Sequence, residues 1–212
     1  MKALELPRLY PITDVRLSGL SHAAQVAALI DGGARLIQLR DKDAAPRDFY
    51  EAAAEALRVA RARGARLIIN DRVDLAAALG ADGVHLGQDD LPPDAARRVL
   101  GEHALVGYST HNLQQAIDAL RLGVSYIAIG PIFSTTSKNN PDPVIGLDLL
   151  RRVRERTAPM PLVAIGGITC ENAKQVVAAG ADSVAVISAL VSNASRITAA
   201  TRALINEISA VS

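Results

Sequence analysis

Short apolar segments rich in Val, Ile and Leu alternate with helical segments along the whole chain. Such apolar segments are typical of parallel strands that are buried on both faces of a sheet. Eight strands are predicted, near residues 8–13, 35–40, 66–70, 82–86, 104–108, 124–130, 161–166 and 182–187. Helices are predicted near residues 21–31, 46–63, 73–79, 92–100, 112–121, 147–156, 170–179 and 192–208. Eight strand–helix units predict an α/β fold, a closed (β/α)8 TIM barrel, with residues 1–212 as a single domain.

A glycine recurs at the end of the predicted helices, usually followed by Ala and often by Asp, just before the next apolar strand. A glycine in this place commonly adopts the left-handed conformation that ends a helix. The pattern therefore supports short links between helices and strands. The five glycines are Gly33, Gly64, Gly80, Gly123 and Gly180.

One connection is long. Residues 131–146 form a segment rich in Ser, Thr, Asn and Pro, between the sixth predicted strand and the helix that follows. A loop of this length in a compact domain is usually functional or disordered.

Composition excludes several classes of protein. The chain has 23 Lys and Arg against 22 Asp and Glu, so no overall charge indicates binding to nucleic acid or to an anionic membrane. It has no apolar run of about 20 residues that could span a membrane. Its single cysteine, Cys170, cannot form an internal disulfide and suits a reducing compartment. We expect a cytoplasmic protein that binds small molecules; the sequence leaves a homo-oligomer open.

Carboxylates follow two neighbouring predicted strands. Asn70-Asp71 ends the third strand, and Asp89-Asp90 follows the fourth. In a barrel, the carboxyl ends of the strands form the active-site face. Mg²⁺ takes one or two carboxylates and leaves its other sites to water and substrate phosphate, so the pair predicts a magnesium site. The alternative is that these acids cap helices or are solvated loop residues.

Cationic and glycine-rich segments follow other strands at the same face. Arg40 and Lys42 follow the second strand, and Lys138 lies in the long loop; the alternative for the first two is ion pairing with Asp41 and Asp43. Gly166-Gly167 and Ser188 follow the seventh and eighth strands, where barrels often bind phosphate. Two anion sites predict two phosphorylated ligands, or one ligand with two phosphates.

No Ser-His-Asp or Cys-His arrangement stands out in the sequence. His85 lies within the fourth strand and His111 follows the fifth, so each is a candidate either for a general base or for a structural or ligand-positioning role. Ser109 could cap a helix or contact a ligand, although His111 or Asn112 suits the cap better.

Seven segments of the chain, in order, resemble the motifs of the thiamine-phosphate synthase family. The resemblance runs from Leu9 to about Ser188 and is carried by LYPITD, GGARLIQLRDK, LIINDRVDLAAALGADGVHLGQDD, GYSTHN, YIAIGPIFSTTSK, LVAIGGI and VAVIS. It implies a transferase that joins 4-amino-2-methyl-5-(diphosphooxymethyl)pyrimidine to 4-methyl-5-(2-phosphooxyethyl)thiazole. The products would be thiamine phosphate and pyrophosphate, formed by loss of pyrophosphate and capture of a pyrimidine carbocation.

The resemblance also implies roles for particular residues. Asp71 and Asp90 would bind Mg²⁺, and Arg40, Lys42, Ser109 and Lys138 would be catalytic. The pyrimidine diphosphate would be bound by these four together with Gln38, Leu39, Asp41 and Asn70. The thiazole phosphate would be bound by Thr135, Thr136, Ser137, Gly167, Ile187 and Ser188.

Two other functions are compatible with a phosphate-binding barrel. One is a barrel relative that aromatises the thiazole phosphate by proton transfer, and the other is a non-catalytic paralogue that binds a phosphorylated ligand. The first would not need the carboxylate pair. The second would be expected to lose a cation or an acid, and Arg40, Lys138, Asp71 and Asp90 are all present.

Overall fold

The protein forms a ring of eight parallel strands surrounded by helices in a computed structural model that describes residues 5–135 and 143–209. The strands are β1 (Leu9–Pro11), β2 (Leu36–Leu39), β3 (Arg66–Asn70), β4 (Gly83–Leu86), β5 (Leu105–Thr110), β6 (Tyr126–Ile129), β7 (Leu162–Ile165) and β8 (Ser183–Val186). Each strand from β2 to β7 pairs in parallel with the next, and β8 pairs in parallel with β1.

The last seam of the ring, between β1 and β2, is narrow. It is made by a parallel bridge between Ile12 and Gln38, with the Thr13 N–H donating to the Gln38 carbonyl at 2.9 Å. This contact closes the sheet, so the predicted (β/α)8 barrel is confirmed.

Helices occupy the connections between successive strands. They are α1 (Val15–Ser18), α2 (His22–Asp31), α3 (Pro46–Ala62), α4 (Val73–Leu79), α5 (Pro93–Leu100), α6 (Leu113–Ala119), α7 (Gly146–Thr157), α8 (Ala173–Ala178), α9 (Ser188–Val191) and α10 (Ile197–Ser209). The short helices α1 and α9 were not predicted. The final helix was predicted from residue 192, whereas α10 begins at Ile197 after a 3-10 turn at Ala194–Arg196. No helix in the described part of the chain is long and apolar enough to cross a membrane.

The glycines that end the predicted helices adopt the left-handed conformation. Gly33, Gly64, Gly80, Gly123 and Gly180 have φ values of 110°, 67°, 59°, 65° and 106°. The left-handed region is unfavourable for residues with a Cβ, so these positions let the chain turn directly into the next strand.

The core has two layers because side chains alternate along each strand. Residues that point outwards pack with the helices in a large cluster, which includes Leu39, Ile69 and Val84. Residues that point inwards fill the barrel and form a smaller cluster, which includes Tyr10, Ile68 and Tyr126. Position along a strand therefore decides whether a side chain can reach the cavity at the carboxyl ends.

Candidate active site

A cavity of about 580 Å³ opens at the carboxyl ends of the strands. Residues that follow β2, β3, β4, β7 and β8 line it, together with residues of β5 and of the loop after β6. The predicted site residues on its wall are Gln38, Arg40, Lys42, Asn70, Asp71, Asp90, Ser109, Thr135, Gly167, Ile187 and Ser188. The structure thus brings together residues that are far apart in the sequence.

Asp71 and Asp90 lie side by side at the ends of β3 and β4. Burial raises the pKa of Asp71 above its usual value, and a hydrogen bond with Asp90 raises it further, while Lys42 opposes both effects. Asp90 is held from the other side, because its Oδ2 accepts the Gly87 N–H at 2.6 Å. Two carboxylates close enough to share a proton could also share a cation.

The backbone of Asp71 is strained. Its φ is 61°, the only positive value at a residue other than glycine in the described part of the chain, and its N–H donates to the His85 carbonyl at 2.9 Å. A left-handed conformation costs a residue with a Cβ roughly 1–2 kcal/mol. The hydrogen bond to β4 holds this conformation and directs the carboxylate towards Asp90.

Each of the two predicted cations on the cavity wall approaches an acid. Lys42 Nζ lies 3.5 Å from Asp71 Oδ2, and a nitrogen of the Arg40 guanidinium lies 3.7 Å from Asp14 Oδ2. The alternative pairing of Arg40 and Lys42 with Asp41 and Asp43 is not observed. Asp43 instead pairs with Arg16.

The donor set around Asp71 suits a hard cation that shares its coordination with a ligand. Mg²⁺ needs only one or two carboxylates when water and phosphate oxygens supply the rest. The described residues contain no group of three or more His, Cys, Asp and Glu side chains placed to hold a metal ion.

Two predicted ligand residues lie outside the cavity. Leu39 points outwards and is fully buried between the sheet and the helices. Asp41 accepts the N–H groups of Asp43 and Ala44 and lies 3.6 Å from Nε2 of the buried His22. Three more, Thr136, Ser137 and Lys138, lie outside the described residues.

Glycines bring the end of β7 against the start of the long loop. Gly167 has a φ of 63°, and a Cβ at this position would lie 2.4 Å from the Ser134 carbonyl oxygen and 2.7 Å from the Phe133 Cβ. The Phe133 N–H donates to the Gly166 carbonyl at 3.0 Å. Close approach here puts Thr135 and Gly167 on the same side of the cavity.

A buried series of hydrogen bonds, which the sequence did not predict, ends at Ser109 on the cavity wall. It links the side chains of Gln38, Tyr10, Tyr126, His85 and Ser109 in that order. Tyr10 and Tyr126 could have been found from the sequence, because a tyrosine hydroxyl inside a barrel needs a hydrogen-bond partner.

His111 and Asn112 have separate structural contacts at the end of β5. His111 Nδ1 lies 2.9 Å from the Gly130 carbonyl oxygen, and its backbone N–H donates to Gln115 at 2.7 Å. Asn112 caps α6 by accepting the Gln115 N–H at 2.9 Å. The cap therefore belongs to Asn112, and Ser109 is left to face the cavity.

The closed barrel and the charged cavity at the carboxyl ends of its strands define a (β/α)8-barrel enzyme. The family model of thiamine monophosphate synthase matches residues 9–190. The chain belongs to this family, so the expected transferase of thiamine biosynthesis is confirmed.

Individual relatives agree with this assignment. The chain is 50% identical over 198 residues to the thiamine-phosphate synthase of Chloroflexus aurantiacus, an alignment that covers 93% of this chain and 90% of the relative. It is 52% identical over 194 residues to that of Koribacter versatilis, covering 88% and 90% of the two chains. A solved thiamine phosphate pyrophosphorylase from Pyrococcus furiosus superposes with a TM-score of 0.86 at 37% identity, covering 97% of this chain and 96% of the other.

Proposed function

We propose that the chain joins 4-amino-2-methyl-5-(diphosphooxymethyl)pyrimidine to 4-methyl-5-(2-phosphooxyethyl)thiazole, in a Mg²⁺-dependent reaction that forms thiamine phosphate and pyrophosphate. The observation that carries the proposal is the contact of Asp71 with both Asp90 and Lys42 in the wall of one cavity. A carboxylate pair beside a cation suits a ligand that brings several phosphate oxygens and shares a metal ion with the protein.

The diphosphate side of the cavity lies along β2 to β5. Asp71 and Asp90 would hold Mg²⁺, which when bound supplies electrostatic stabilisation of the charge on pyrophosphate. Arg40 and Lys42 neutralise the same charge, and Asn70 and Ser109 donate hydrogen bonds to phosphate oxygens. Lys138 completes the set through its place in the family motif. Gln38 is buried beneath them in the cavity wall. By its place in the family motif it would contact the pyrimidine diphosphate.

The thiazole phosphate is assigned to the opposite side of the cavity. Thr135, Gly167, Ile187 and Ser188 line that side, and Thr136 and Ser137 extend it by their place in the family motif. The glycine lets the backbone approach a phosphate oxygen closely. Leu39 and Asp41 have no part in this proposal, because neither lines the cavity.

The reaction proceeds by departure of pyrophosphate before the new bond forms. The carbon–oxygen bond to the diphosphate breaks, and the electron pair leaves with pyrophosphate. The resulting pyrimidine carbocation is captured by the thiazole nitrogen, whose lone pair forms the carbon–nitrogen bond. The residues described above act mainly on the leaving group, and the capture step requires no strong base.

An assay of the purified protein tests the proposal. With both substrates and Mg²⁺ we expect thiamine phosphate and pyrophosphate in equal amounts, and omission of either substrate or addition of a chelator should abolish both. Pyrophosphate release at full rate without the thiazole would instead indicate a hydrolase. Conversion of the thiazole phosphate to an isomer, without the pyrimidine, would indicate the proton-transfer relative.

A further inference from the structure

A chain of hydrogen bonds crosses the interior of the barrel from β2 to β5. The Gln38 amide nitrogen donates to the Tyr10 hydroxyl at 3.2 Å, and the Tyr10 and Tyr126 hydroxyl oxygens lie 2.8 Å apart. Tyr126 Oη lies 3.1 Å from His85 Nδ1, and His85 Nε2 lies 2.9 Å from Ser109 Oγ. The side chains of Tyr10, Tyr126 and His85 thus connect an amide in the core to a hydroxyl on the cavity wall.

The rings along this series of hydrogen bonds pack closely against one another and against Gly107. The Tyr10 and Tyr126 rings meet edge to face with centroids 5.9 Å apart, and the His85 ring stacks on Tyr126 at 5.6 Å. A Cβ at Gly107 would lie 2.1 Å from the Tyr126 ring and 2.5 Å from His85 Nδ1. The absence of a side chain at Gly107 is therefore what allows these two rings to meet.

The Gln38 amide donates to Tyr10, and from this starting point the burial of the two phenols sets the direction of the next hydrogen bond. Both phenols keep their protons, because burial raises the pKa of Tyr10 and of Tyr126. In the described part of the chain the Tyr10 hydroxyl has two partners, and Gln38 already donates to it. The Tyr10 proton must therefore go to Tyr126, since a buried hydroxyl without an acceptor would be costly.

The remaining directions follow in sequence. Tyr126 accepts from Tyr10, so its own proton points to His85 Nδ1, which must then be unprotonated. The His85 proton lies on Nε2 and is donated to Ser109 Oγ. Ser109 Oγ accepts this hydrogen bond, so its own proton is not used in the series of hydrogen bonds and is directed to the cavity.

We propose that Tyr10, Tyr126 and His85 are positioning residues that orient the Ser109 hydroxyl as a hydrogen-bond donor towards an anionic oxygen of the diphosphate. This inference rests on the proposed function for the identity of the ligand. The orientation matters because a hydroxyl that already donates to His85 would present only lone pairs to an anion. His85 is accordingly not a general base that removes a proton from Ser109.

The protonation of His85 in the free enzyme is the first test. In long-range ¹H–¹⁵N correlation spectra of the wild-type protein, His85 should show a protonated Nε2 and an unprotonated Nδ1. A proton on Nδ1 would overturn the proposal. The spectrum requires no substrate, so its outcome is independent of the assay for thiamine phosphate.

A substitution at Gln38, the end of the series of hydrogen bonds farthest from Ser109, should reverse the direction in which the protons are donated. Burial favours the neutral form of a carboxyl group, so the Gln38→Glu spectrum is recorded at a pH where the ¹³C shift of the new carboxyl group shows that it is ionised. The carboxylate then accepts from Tyr10, so Tyr126 donates to Tyr10, His85 Nδ1 donates to Tyr126, and Ser109 donates to His85 Nε2. The His85 proton should move to Nδ1. In the matched double variant with Gln38→Glu and Tyr126→Phe the connection is cut, so the proton should return to Nε2. A proton that stays on Nε2 in Gln38→Glu contradicts the relay, and the wild-type spectrum decides alone if this variant does not fold.

Binding of pyrophosphate with Mg²⁺ tests the consequence for the ligand. Ser109→Ala should weaken it about tenfold, the size expected for one hydrogen bond to a charged group. In Gln38→Glu, Ser109→Ala should not change the affinity for pyrophosphate. In the double variant with Gln38→Glu and Tyr126→Phe, Ser109→Ala should again weaken binding about tenfold. This cycle cancels the direct effect of the added carboxylate. An equal loss from Ser109→Ala in all three backgrounds would overturn the proposal. If His85 and Ser109 behave as expected but no thiamine phosphate forms, only the proposed function fails.

Discussion

Lys42 Nζ lies 3.5 Å from Asp71 Oδ2, so the ammonium group stands beside the carboxylate proposed to bind Mg²⁺. Both side chains belong to loops that follow neighbouring strands, β2 and β3. In the free enzyme, therefore, the lysine would compete with a bound metal ion for the same oxygen. In the complex the diphosphate would separate them and bind both.

Replacing Lys42 should thus affect metal and substrate in opposite directions. Lys42→Met should tighten binding of Mn²⁺, as a spectroscopic substitute for Mg²⁺, about two- to fivefold in the absence of substrate. A charge at this distance in a solvated site contributes on the order of 1 kcal/mol. The same variant should raise the KM for the pyrimidine diphosphate. Electron paramagnetic resonance titration and steady-state kinetics measure the two effects.

Arg16→Met is the matched control for Lys42→Met, because Arg16 is an exposed cation that pairs with Asp43 and does not line the cavity. It should change neither quantity. Weaker Mn²⁺ binding in Lys42→Met would show that the lysine supports the metal site instead of competing with it.

Asp71 and Asp90 should behave as one functional unit. Asp71→Asn and Asp90→Asn should each raise the Mg²⁺ concentration needed for half-maximal activity by at least roughly tenfold. The double variant should be much less impaired than the product of the single effects, since one metal site can be lost only once. Asn tolerates the left-handed conformation of residue 71, so the fold should survive.

Metal titrations of the activity, with circular dichroism as a check of folding, measure this prediction. Asp74→Asn is the control, since Asp74 is an exposed acid near the same strand and pairs with Arg72. Independent multiplication of the two single effects would argue against a shared ion.

Alanine substitutions at Gly64 and Gly167 can separate two contributions to the loss of stability, the close packing at Gly167 and the left-handed backbone conformation that both residues share. Gly64 has nearly the same φ, 67° against 63°, but a Cβ there would meet nothing within 4 Å. Gly64→Ala should lower the free energy of unfolding by roughly 1–2 kcal/mol for the conformation alone. Gly167→Ala should cost about 2 kcal/mol more, because its Cβ overlaps the loop after β6.

Gly167→Ala should also raise the KM for the thiazole phosphate, whereas Gly64→Ala should not. Urea unfolding and kinetics of both variants provide the comparison, and equal losses of stability would contradict it.

His22 should make the stability of the protein depend on pH. Burial lowers its pKa, against the partial opposition of Asp41, and its Nε2 has no hydrogen-bond partner in the described part of the chain. A histidine in the unfolded chain has a pKa of about 6.5. The unfolded state therefore takes up the proton first, and stability contributed by neutral His22 is lost as the pH falls from about 6.5 towards the folded pKa.

Wild type should lose about 1 kcal/mol more than His22→Asn when unfolding by urea is compared at pH 7.5 and pH 5.5. His103→Asn, at an exposed histidine, should keep the wild-type difference. The same pH dependence in His22→Asn and wild type would assign the effect to other groups.

The sequence predicts most of the fold because its strands and helices differ in pattern and are separated by glycines. It does not predict α1 or α9, since four residues are too few to show a helical period. The end of the long loop nearest β6 is anchored to β7 by hydrogen bonds to the Ile165 and Gly166 carbonyls, and no sequence pattern indicates these.

Most of the predicted site residues that the structure describes line the cavity, and Leu39 and Asp41 are the two that do not. Asp71 and Asp90 lie close together because each follows one of two adjacent parallel strands, whose carboxyl ends lie at the same edge of the sheet. Leu39 was included by its proximity to Gln38 in the sequence, but neighbours in a strand point to opposite faces. The alternation could have excluded Leu39. Asp41 could not have been excluded in this way, because its direction depends on the fold of a loop and on the buried His22.

The narrow seam between β1 and β2 affects the order in which the cavity can form during synthesis. β1 is held mainly by β8, to which Leu9, Tyr10 and Pro11 are paired in register, while a single bridge joins it to β2. The first strand to leave the ribosome must therefore wait for the last one before it has a stable place in the sheet. Because Tyr10 lies on β1 and connects Gln38 to Tyr126, the interior polar chain is also completed only then. A nascent chain that lacks β8 therefore has no finished cavity in which to bind a diphosphate.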